Sequence, residues 1–494
     1  MTEAVSSQQP NIVMIVADDH GREAVGCYGN PVVSTPNIDS LAASGVRFDN
    51  AFCTTASCSA SRSVILSGLH NHTNRTFGLI HDPHNFSMSS HVTTLPKLMK
   101  QAGYRTGRMG KKHYQPEALF PFDFDPPEWG TDEDILRQRD DLWLAGRCEE
   151  FVQGESPYFL YWCSHDPHRN WERADHPLRP DDFGNPRTPF PGDEETPFDP
   201  EEVIVPPWLA DLPEVRAEIA EYYQSIARLD RGVGRLIDLI ASVGSDRDTV
   251  ILYLSDNGGA FPVAKTTLYD PGMQLPLIIS TIPAADRSDS PSSNVGSDPE
   301  SSNAESNSPE SNGPESTSSG RSSGVSCEAL VSWADLAPTV LDLAGAGELG
   351  AAMFGESLLP LLEHPESPGR DHVFASHCFH QVTNYYPMRV VRTHRWKFIY
   401  NIAWKLDFPT ASDIHMSASW QATLRETGTL GQREVDTYLH RPRFELYDLQ
   451  ADPLELNNLA EVPEQAEQIA AFVTLIQNFQ IETSDPWFHK WIYE

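Results

Sequence analysis

The sequence predicts an α/β fold in which helices cover a large, mixed and mostly parallel sheet, followed by a smaller C-terminal α+β subdomain with an antiparallel sheet. Short continuous apolar runs alternate with stretches of helical periodicity, and such runs are typical of strands buried on both faces. Each run ends abruptly in polar residues, and the ligands of α/β sheets collect beyond the carboxyl ends of the strands. After about residue 370 the pattern changes to closely spaced strand signals, which favours antiparallel pairing.

Four apolar runs are the strand candidates of the large sheet. They cover residues 11–17, 104–109, 158–163 and 249–254. Asp18 and Asp19 follow the first run, and Asp256 and Asn257 follow the last run and its terminal Ser255. Because the carboxyl ends of parallel strands meet at one edge of a sheet, we expect these polar side chains to converge there.

Two helices are predicted between the strands. One begins at Thr35 and Pro36, since a cap residue followed by proline opens a helix, and it ends before Gly45. The other covers about residues 213–243, where apolar residues recur at helical spacing, and Gly244 stops it.

A biased segment divides the chain. Between about residues 286 and 324 the composition collapses to Ser, Asn, Pro, Glu, Asp and Gly, which predicts a disordered surface insertion. A helical pattern follows over residues 329–343. Strand patterns come next, over residues 373–376, 388–393, 396–402 and 444–449. Since 494 residues are too many for one ordinary core, we expect a large domain over residues 1–370 and a C-terminal subdomain over residues 371–494.

The charge balance is strongly acidic. The chain carries 70 acidic against 36 basic residues, a formal net charge of −34 at pH 7. Nucleic acid is excluded as a partner, because its phosphates need a basic face. A carboxylate-rich surface keeps a protein soluble at high salt, which predicts a halophilic microbial source.

The N-terminal sequence and the cysteine pattern indicate where in the cell the protein is located. The apolar run at residues 12–17 is too short for a signal-peptide core or a membrane span, so we expect a cytoplasmic protein without membrane association. Seven dispersed cysteines without a Cys-x-x-Cys pair argue against a disulfide framework and against a zinc site.

Two acidic pairs suggest a metal site. Asp18, Asp19, Asp256 and Asn257 offer hard oxygen ligands, the set expected for Ca²⁺ or Mg²⁺. The alternative is that Asp18 and Asp19 merely cap a following helix. Two such pairs at the ends of buried strands favour the metal, because unpaired buried carboxylates are costly.

Cys58 begins the most specific motif of the chain. A cysteine at the start of a helix is either an activated nucleophile or, more often, a small buried hydrophobe. The segment from Cys58 to Gly68 reads Cys-x-Ala-x-Arg and then Ser-x-x-Leu-Ser-Gly. It resembles the sulfatase motif, in which the cysteine of Cys-x-Pro-x-Arg is converted to formylglycine. Ala60 departs from the usual proline, which puts recognition by the maturation enzyme in question.

Further motifs extend the resemblance from residue 11 to about residue 487. They are Ala17-Asp18-Asp19, Thr35-Pro36-Asn37, Gly110-Lys111-Lys112-His113, Ser255-Asp256-Asn257-Gly258 and Glu445-Leu446-Tyr447-Asp448. With them the chain is identified as a member of the sulfatases of the alkaline phosphatase superfamily. The stretches 78–86, 165–168 and 483–487 are similar to those of the sulfamidases, the N-sulfoglucosamine sulfohydrolases.

The resemblance assigns roles position by position. It implies that Asp18, Asp19, Asp256 and Asn257 bind Ca²⁺, with Mg²⁺ as the alternative, and that Cys58 is a formylglycine that also ligates the ion. It places Arg62, Lys111 and His113 around the formylglycine, and His165 and Lys265 against the sulfate and its leaving group. Family sulfamidases usually carry arginine at the position of Lys265. Asp82, His84 and His380 would line the sugar pocket, an ordinary loop role being the alternative.

The function implied is hydrolysis of N-linked sulfate from glucosamine, as in glycosaminoglycan degradation. In the family, the hydrated aldehyde attacks sulfur. The implied partners are a sulfated sugar and a formylglycine-generating maturation enzyme. Three alternatives stay open: an O-sulfatase for another saccharide, a phosphonate or phosphodiester hydrolase, and an unconverted, non-catalytic carbohydrate-binding protein. A homodimer is one candidate for the oligomeric state.

Overall fold

The computed structural model describes residues 9–127, 137–154, 157–169, 181–284 and 324–492. Apart from Gly324, the predicted insertion at residues 286–324 lies outside these ranges.

A seven-stranded sheet forms the centre of the molecule. Its strands are β1 Asn11–Ala17, β2 Val46–Phe52, β3 Arg105–Gly110, β4 Tyr158–Cys163, β5 Thr249–Ser255, β6 Leu277–Ile282 and β7 Val325–Ser332. They lie in the order β3-β4-β1-β5-β6-β2-β7. Strands β3, β4, β1 and β5 are parallel, β6 is antiparallel to both of its neighbours, and β2 pairs with β7 in parallel. The mixed, mostly parallel sheet confirms the predicted fold class.

Strand β1 shows why continuous apolar runs occupy the centre. All of its residues are buried, and its side chains alternate between two hydrophobic cores. Ile12 and Met14 belong to the core on one face of the sheet, and Val13 and Ile15 belong to the core on the other. A strand that is buried on both faces needs apolar side chains at every position, which the sequence supplies.

Helices cover both faces of the sheet. The α-helices are Pro36–Ser44, Cys58–Ile65, Asn71–Asn74, Leu95–Gln101, Asp141–Gly146, Glu149–Val152, Pro213–Val243, Asp270–Met273, Leu336–Leu343, Leu359–Glu363, Ser412–His415, Ala418–Glu426, Val435–Leu439 and Ala466–Glu482. Both predicted helices between the strands are confirmed, and Gly244 ends the longer one in the left-handed conformation, with φ 63°. Within the described ranges, no helix combines the length and apolar character needed to cross a bilayer.

The helical prediction over residues 329–343 was wrong in its first part. Residues 329–332 belong to β7, which lies beside β2, and the α-helix begins at Leu336. Ser332 and Asp335 form a capping box. The Ser332 hydroxyl accepts the backbone N–H of Ala334, and the Asp335 carboxylate accepts the backbone N–H of Ser332. This box separates strand from helix inside one apolar run, where periodicity alone cannot place the boundary.

A second sheet lies in the C-terminal part of the chain and confirms the predicted antiparallel pairing. Its strands are β8 His372–Phe379, β9 Tyr385–Thr393, β10 Trp396–Asn401 and β13 Phe444–Asp448, in the order β13-β10-β9-β8. A two-stranded ribbon, β11 Thr429–Leu430 and β12 Arg433–Glu434, lies between β10 and β13 in sequence. One face of the four-stranded sheet packs against the helix Ala466–Glu482, and residues such as Val390 join the main core. The domain boundary at residue 370 stays a prediction.

Replacing Leu252 by alanine should lower the free energy of unfolding by about 2 to 5 kcal/mol, because the change leaves a cavity in a fully buried strand. Urea titration followed by tryptophan fluorescence measures this loss. Leu424→Ala is the control, since Leu424 is 43% exposed on a helix, and it should change stability by less than about 0.5 kcal/mol. Equal losses in both variants would contradict the assignment of the core.

Candidate active site

The two predicted acidic pairs meet at the carboxyl edge of the large sheet. Asp18 and Asp19 follow β1, Asp256 and Asn257 follow β5, and all four residues are fully buried. The backbone N–H of Asp19 donates to Asp256 Oδ1 at 3.1 Å, and Asn257 Nδ2 donates to Asp19 Oδ1 at 2.6 Å. The short 3-10 helix that follows, Arg22–Ala24, has Gly21 as its N-cap residue rather than Asp18 or Asp19. The alternative of Asp18 and Asp19 as helix caps is therefore excluded.

Four side chains form a compact donor cluster at this edge. One donor atom each from Asp18, Asp19, Cys58 and His168 lies within 4.8 Å of the others. Cys58 begins the helix Cys58–Ile65, and its Sγ lies 3.8 Å from Asp19 Oδ1. The first residue of the Cys58 motif therefore lies beside the buried carboxylates.

The cluster has the chemistry of a divalent-cation site. Among the residues that the structure describes, none is a hydrogen-bond partner of the buried oxygens Asp18 Oδ1 and Asn257 Oδ1, a costly arrangement that a cation would relieve. Burial, with Asp18 nearby, raises the pKa of Asp256 to about 8 against the opposing charge of Arg62. Carboxylates held at such a cost suit a hard cation, and the oxygen set of Asp18, Asp19, Asp256 and Asn257 fits one.

Three cationic side chains offset the carboxylates. Arg62 Nε lies 2.8 Å from Asp256 Oδ2, and Lys111 Nζ pairs with Asp18 Oδ2. Lys265, which is fully buried, places its Nζ 2.8 Å from Asp19 Oδ2. Burial would raise the pKa of Asp18, yet Lys111, His168 and Arg62 hold it well below its usual range.

Gly110 is what lets Lys111 reach this cluster. At the end of β3 it adopts φ 80°, and a Cβ added there would lie 1.9 Å from the carbonyl oxygen of Cys163. A residue with a side chain cannot fit, so glycine is required for the turn that follows β3. The backbone N–H of Lys111 then bonds the same carbonyl at 2.9 Å.

The structure brings His168 to the cluster. Its Nε2 lies 3.1 Å from Lys265 Nζ and 3.8 Å from Asp19 Oδ2. Burial and the charge of Lys265 hold the pKa of His168 well below its usual range. His165 instead lines a neighbouring cavity together with Arg108. Sequence reasoning missed His168, although the motif His165-Asp166-Pro167-His168 contained it.

Two further predicted residues, His113 and His380, each contact a neighbouring side chain. His113 Nε2 lies 3.2 Å from His81 Nδ1 with the two rings stacked, and His81 was missed by sequence reasoning. His380 Nδ1 lies 2.9 Å from the hydroxyl of Ser57, the residue before Cys58. The pKa of His113 is held well below its usual range by burial and by Lys111.

Asp82 and His84 lie in the loop between the helices Asn71–Asn74 and Leu95–Gln101. Asp82 is exposed and accepts a hydrogen bond from Asn85 at 3.1 Å. His84 is half-buried, and its Nδ1 accepts the backbone N–H of Val382 at 3.2 Å. Both side chains therefore have local structural partners, so their part in binding a sugar stays a prediction.

Comparison with known proteins gives one consistent answer. The family model described as Sulfatase matches residues 10–346. The chain is 35% identical to the human N-sulphoglucosamine sulphohydrolase over 97% of this chain and 91% of the relative. It is 25% identical to an N-acetylglucosamine-6-O-sulfatase of Bacteroides thetaiotaomicron over 97% of this chain and 88% of the relative.

Solved structures share the fold over the whole length. A protein in complex with its substrate D-glucosamine-2-N,6-O-disulfate superposes with a TM-score of 0.63 at 20% identity, over 97% of this chain and 99% of that one. The phosphonate monoester hydrolase of Agrobacterium radiobacter superposes with a TM-score of 0.64 at 18% identity, over 96% of both chains.

Chelation of divalent cations should lower the melting temperature, and added Ca²⁺ should restore it, because a ligand of the folded state alone stabilises by about 2.7 kcal/mol at a hundredfold excess over Kd. Asp18→Ala should abolish this response in scanning calorimetry. Asp230→Asn is the control, because its buried carboxylate accepts the backbone N–H of Ile38 instead. It should lower the melting temperature and keep the response. A full response in Asp18→Ala would contradict the cation site.

Proposed function

The chain belongs to the sulfatase family, and on that premise we propose that it hydrolyses the N–S bond of N-sulfated glucosamine. The observation that carries the proposal is that Cys58 lies against buried carboxylates and cationic side chains at one edge of the sheet. The preference for N-linked sulfate is supported by the 35% identity to the human N-sulphoglucosamine sulphohydrolase over nearly the whole chain.

We propose that Cys58 is present as formylglycine and that the cluster holds Ca²⁺. When present, these groups supply an oxygen nucleophile for sulfur and a positive charge for the sulfate oxygens. An unmodified Cys58 fits the role poorly, since burial and Asp18 raise the pKa of its thiol well above the usual value. Asp18, Asp19, Asp256 and Asn257 are the proposed ligands.

We propose that the cationic side chains of the site provide the positive charge that binds the sulfate group. Arg62 pairs with Asp256, and the two lysines pair with the neighbouring carboxylates, Lys111 with Asp18 and Lys265 with Asp19. Fixed positive charges in a buried site stabilise the negative charge that sulfuryl transfer spreads over three oxygens. They also offset locally the net charge of −34, which would otherwise repel a sulfated sugar.

His168 is the proposed proton donor to the leaving nitrogen. Because the lysine ammonium can only donate, His168 Nε2 accepts from Lys265, and the neutral ring carries its proton on Nδ1. A sulfate anion placed beside this ring raises its proton affinity, since a nearby negative charge favours the charged form of histidine. The imidazolium that this charge favours is the form that acts as the general acid: it transfers one proton to the leaving nitrogen as the N–S bond breaks and returns to the neutral ring.

The proposal is tested first by the mass of the Cys58 peptide from protein made in its own host. We expect a loss of about 18 Da, the change from thiol to aldehyde of an activated nucleophile. The converted protein should release sulfate from N-sulfoglucosamine faster than from 6-O-sulfated N-acetylglucosamine. The reverse preference would favour an O-sulfatase, and faster turnover of phosphonate monoesters would favour that hydrolase class. Unmodified Cys58 with sugar binding and no turnover would indicate a binding protein.

His168→Ala should lower kcat by at least about 100-fold, because proton transfer to the leaving group contributes about 10² to 10⁴. His165→Ala is the matched control three residues away, and it should keep most of the wild-type kcat. Sulfate release from N-sulfoglucosamine measures both variants, with melting temperatures to confirm folding. A larger loss in His165→Ala than in His168→Ala would reverse the assignment.

A further inference from the structure

Asp413 reaches the active site from the C-terminal part of the chain. It belongs to the short helix Ser412–His415, beyond the residues that the family model matches, and its side chain is 2% exposed. Its Oδ2 lies 2.7 Å from Lys265 Nζ, and its Oδ1 accepts the backbone N–H of Ile414 at 2.9 Å. Both oxygens of the carboxylate are therefore occupied.

Three acceptors use the whole donor capacity of Lys265. An ammonium has three N–H donors, and here they face Asp19 Oδ2 at 2.8 Å, His168 Nε2 at 3.1 Å and Asp413 Oδ2 at 2.7 Å. Asp19 and His168 belong to the donor cluster, whereas Asp413 lies outside it. Three hydrogen bonds in different directions therefore fix the position of the Lys265 ammonium.

We propose that Asp413 is a positioning residue that holds Lys265 between Asp19 and His168. Without this third acceptor the ammonium would pair more closely with Asp19 and draw that carboxylate away from its other contacts. The inference rests on the proposed function, since the consequence of the position is felt by a sulfate group beside Lys265. Its ordinary alternative is a carboxylate that only neutralises a buried lysine.

The surroundings of Asp413 are rigid enough for this role. Ser412 Oγ accepts a hydrogen bond from Gln381 Nε2 at 2.6 Å, and Asn384 Nδ2 donates to the carbonyl of Thr410 at 3.2 Å. These bonds tie the segment that carries Asp413 to the turn between β8 and β9. The charged and titratable groups of the described residues that interact with Asp413 include Lys265, His380, Arg169 and Asp19. The carboxylate is thus fixed on a supported segment rather than on a free loop.

The test compares Asp413→Asn, Lys265→Ala and the double variant. Asparagine keeps the shape but removes the charge, so we expect kcat for N-sulfoglucosamine to fall by about 10- to 100-fold, as misplaced catalytic groups do. KM should change less than kcat. In the double variant the loss should equal that of Lys265→Ala alone, because Asp413 acts through the lysine. Asp413→Glu keeps the charge and should recover part of the rate.

Asp485→Asn is the matched control. Asp485 is also a buried carboxylate of the C-terminal part, paired with Arg389 at 2.6 Å. The Asp485→Asn variant should lower the melting temperature and leave kcat per folded enzyme unchanged. Combined with Lys265→Ala, it should therefore leave kcat at the value of Lys265→Ala alone and lower the melting temperature further. If Asp413→Asn folds poorly, kcat per folded enzyme is compared between Asp413→Glu and Asp485→Glu instead. Only Asp413→Glu should then lower kcat.

Two kinetic results would overturn the inference: wild-type kcat in Asp413→Asn, or losses that multiply in the double variant. Calorimetric titration with inorganic sulfate gives a readout apart from turnover, and Asp413→Asn should weaken sulfate binding where Asp485→Asn does not. Equal sulfate affinity in wild type and Asp413→Asn would also overturn it. An inactive wild type with Cys58 converted would instead contradict the proposed function, and the sulfate titration would still decide the role of Asp413.

Discussion

The balance of buried charge at the carboxyl edge of the large sheet is the constraint on which the site depends. Asp18, Asp19 and Asp256 are fully buried, and each is paired with a different cation. Removing one partner of such a pair leaves an uncompensated charge and costs about 3 to 5 kcal/mol. The pairs must therefore form together, which fixes the places of residues that are far apart in sequence.

The same balance explains why a divalent cation belongs in the arrangement. Three carboxylates face three cations, and Asp413 adds a fourth carboxylate through Lys265. When all of these groups are charged, the four carboxylates outnumber the three cations by one, and this excess negative charge opposes the approach of a sulfate group. Two added positive charges reverse the sign, so the affinity for an anion and the affinity for a cation depend on each other.

What the sequence could predict follows from how local each signal is. Strands β1, β4 and β5 are continuous apolar runs, and the Cys58 motif is contiguous in sequence. The strands and the motif could therefore be predicted from the sequence. Strand β2 was missed because Arg47, Asp49 and Asn50 interrupt its apolar pattern. His168 was missed because two histidines three residues apart in one motif differ only in the direction of their side chains. Asp413 carries no local signal, since its role exists only through contact with Lys265.

The contribution of the C-terminal part is set by apolar packing rather than by the motifs. Ala375 of β8 and Val390 of β9 belong to the same hydrophobic core as Met14 of β1. Because close-packed interiors resist displacement, this shared core fixes the second sheet relative to the carboxyl edge of the first. His380 and Asp413 then enter the site from a rigid neighbour. The large sheet supplies the groups for sulfate chemistry, and the packing of the second sheet decides which further groups can touch them.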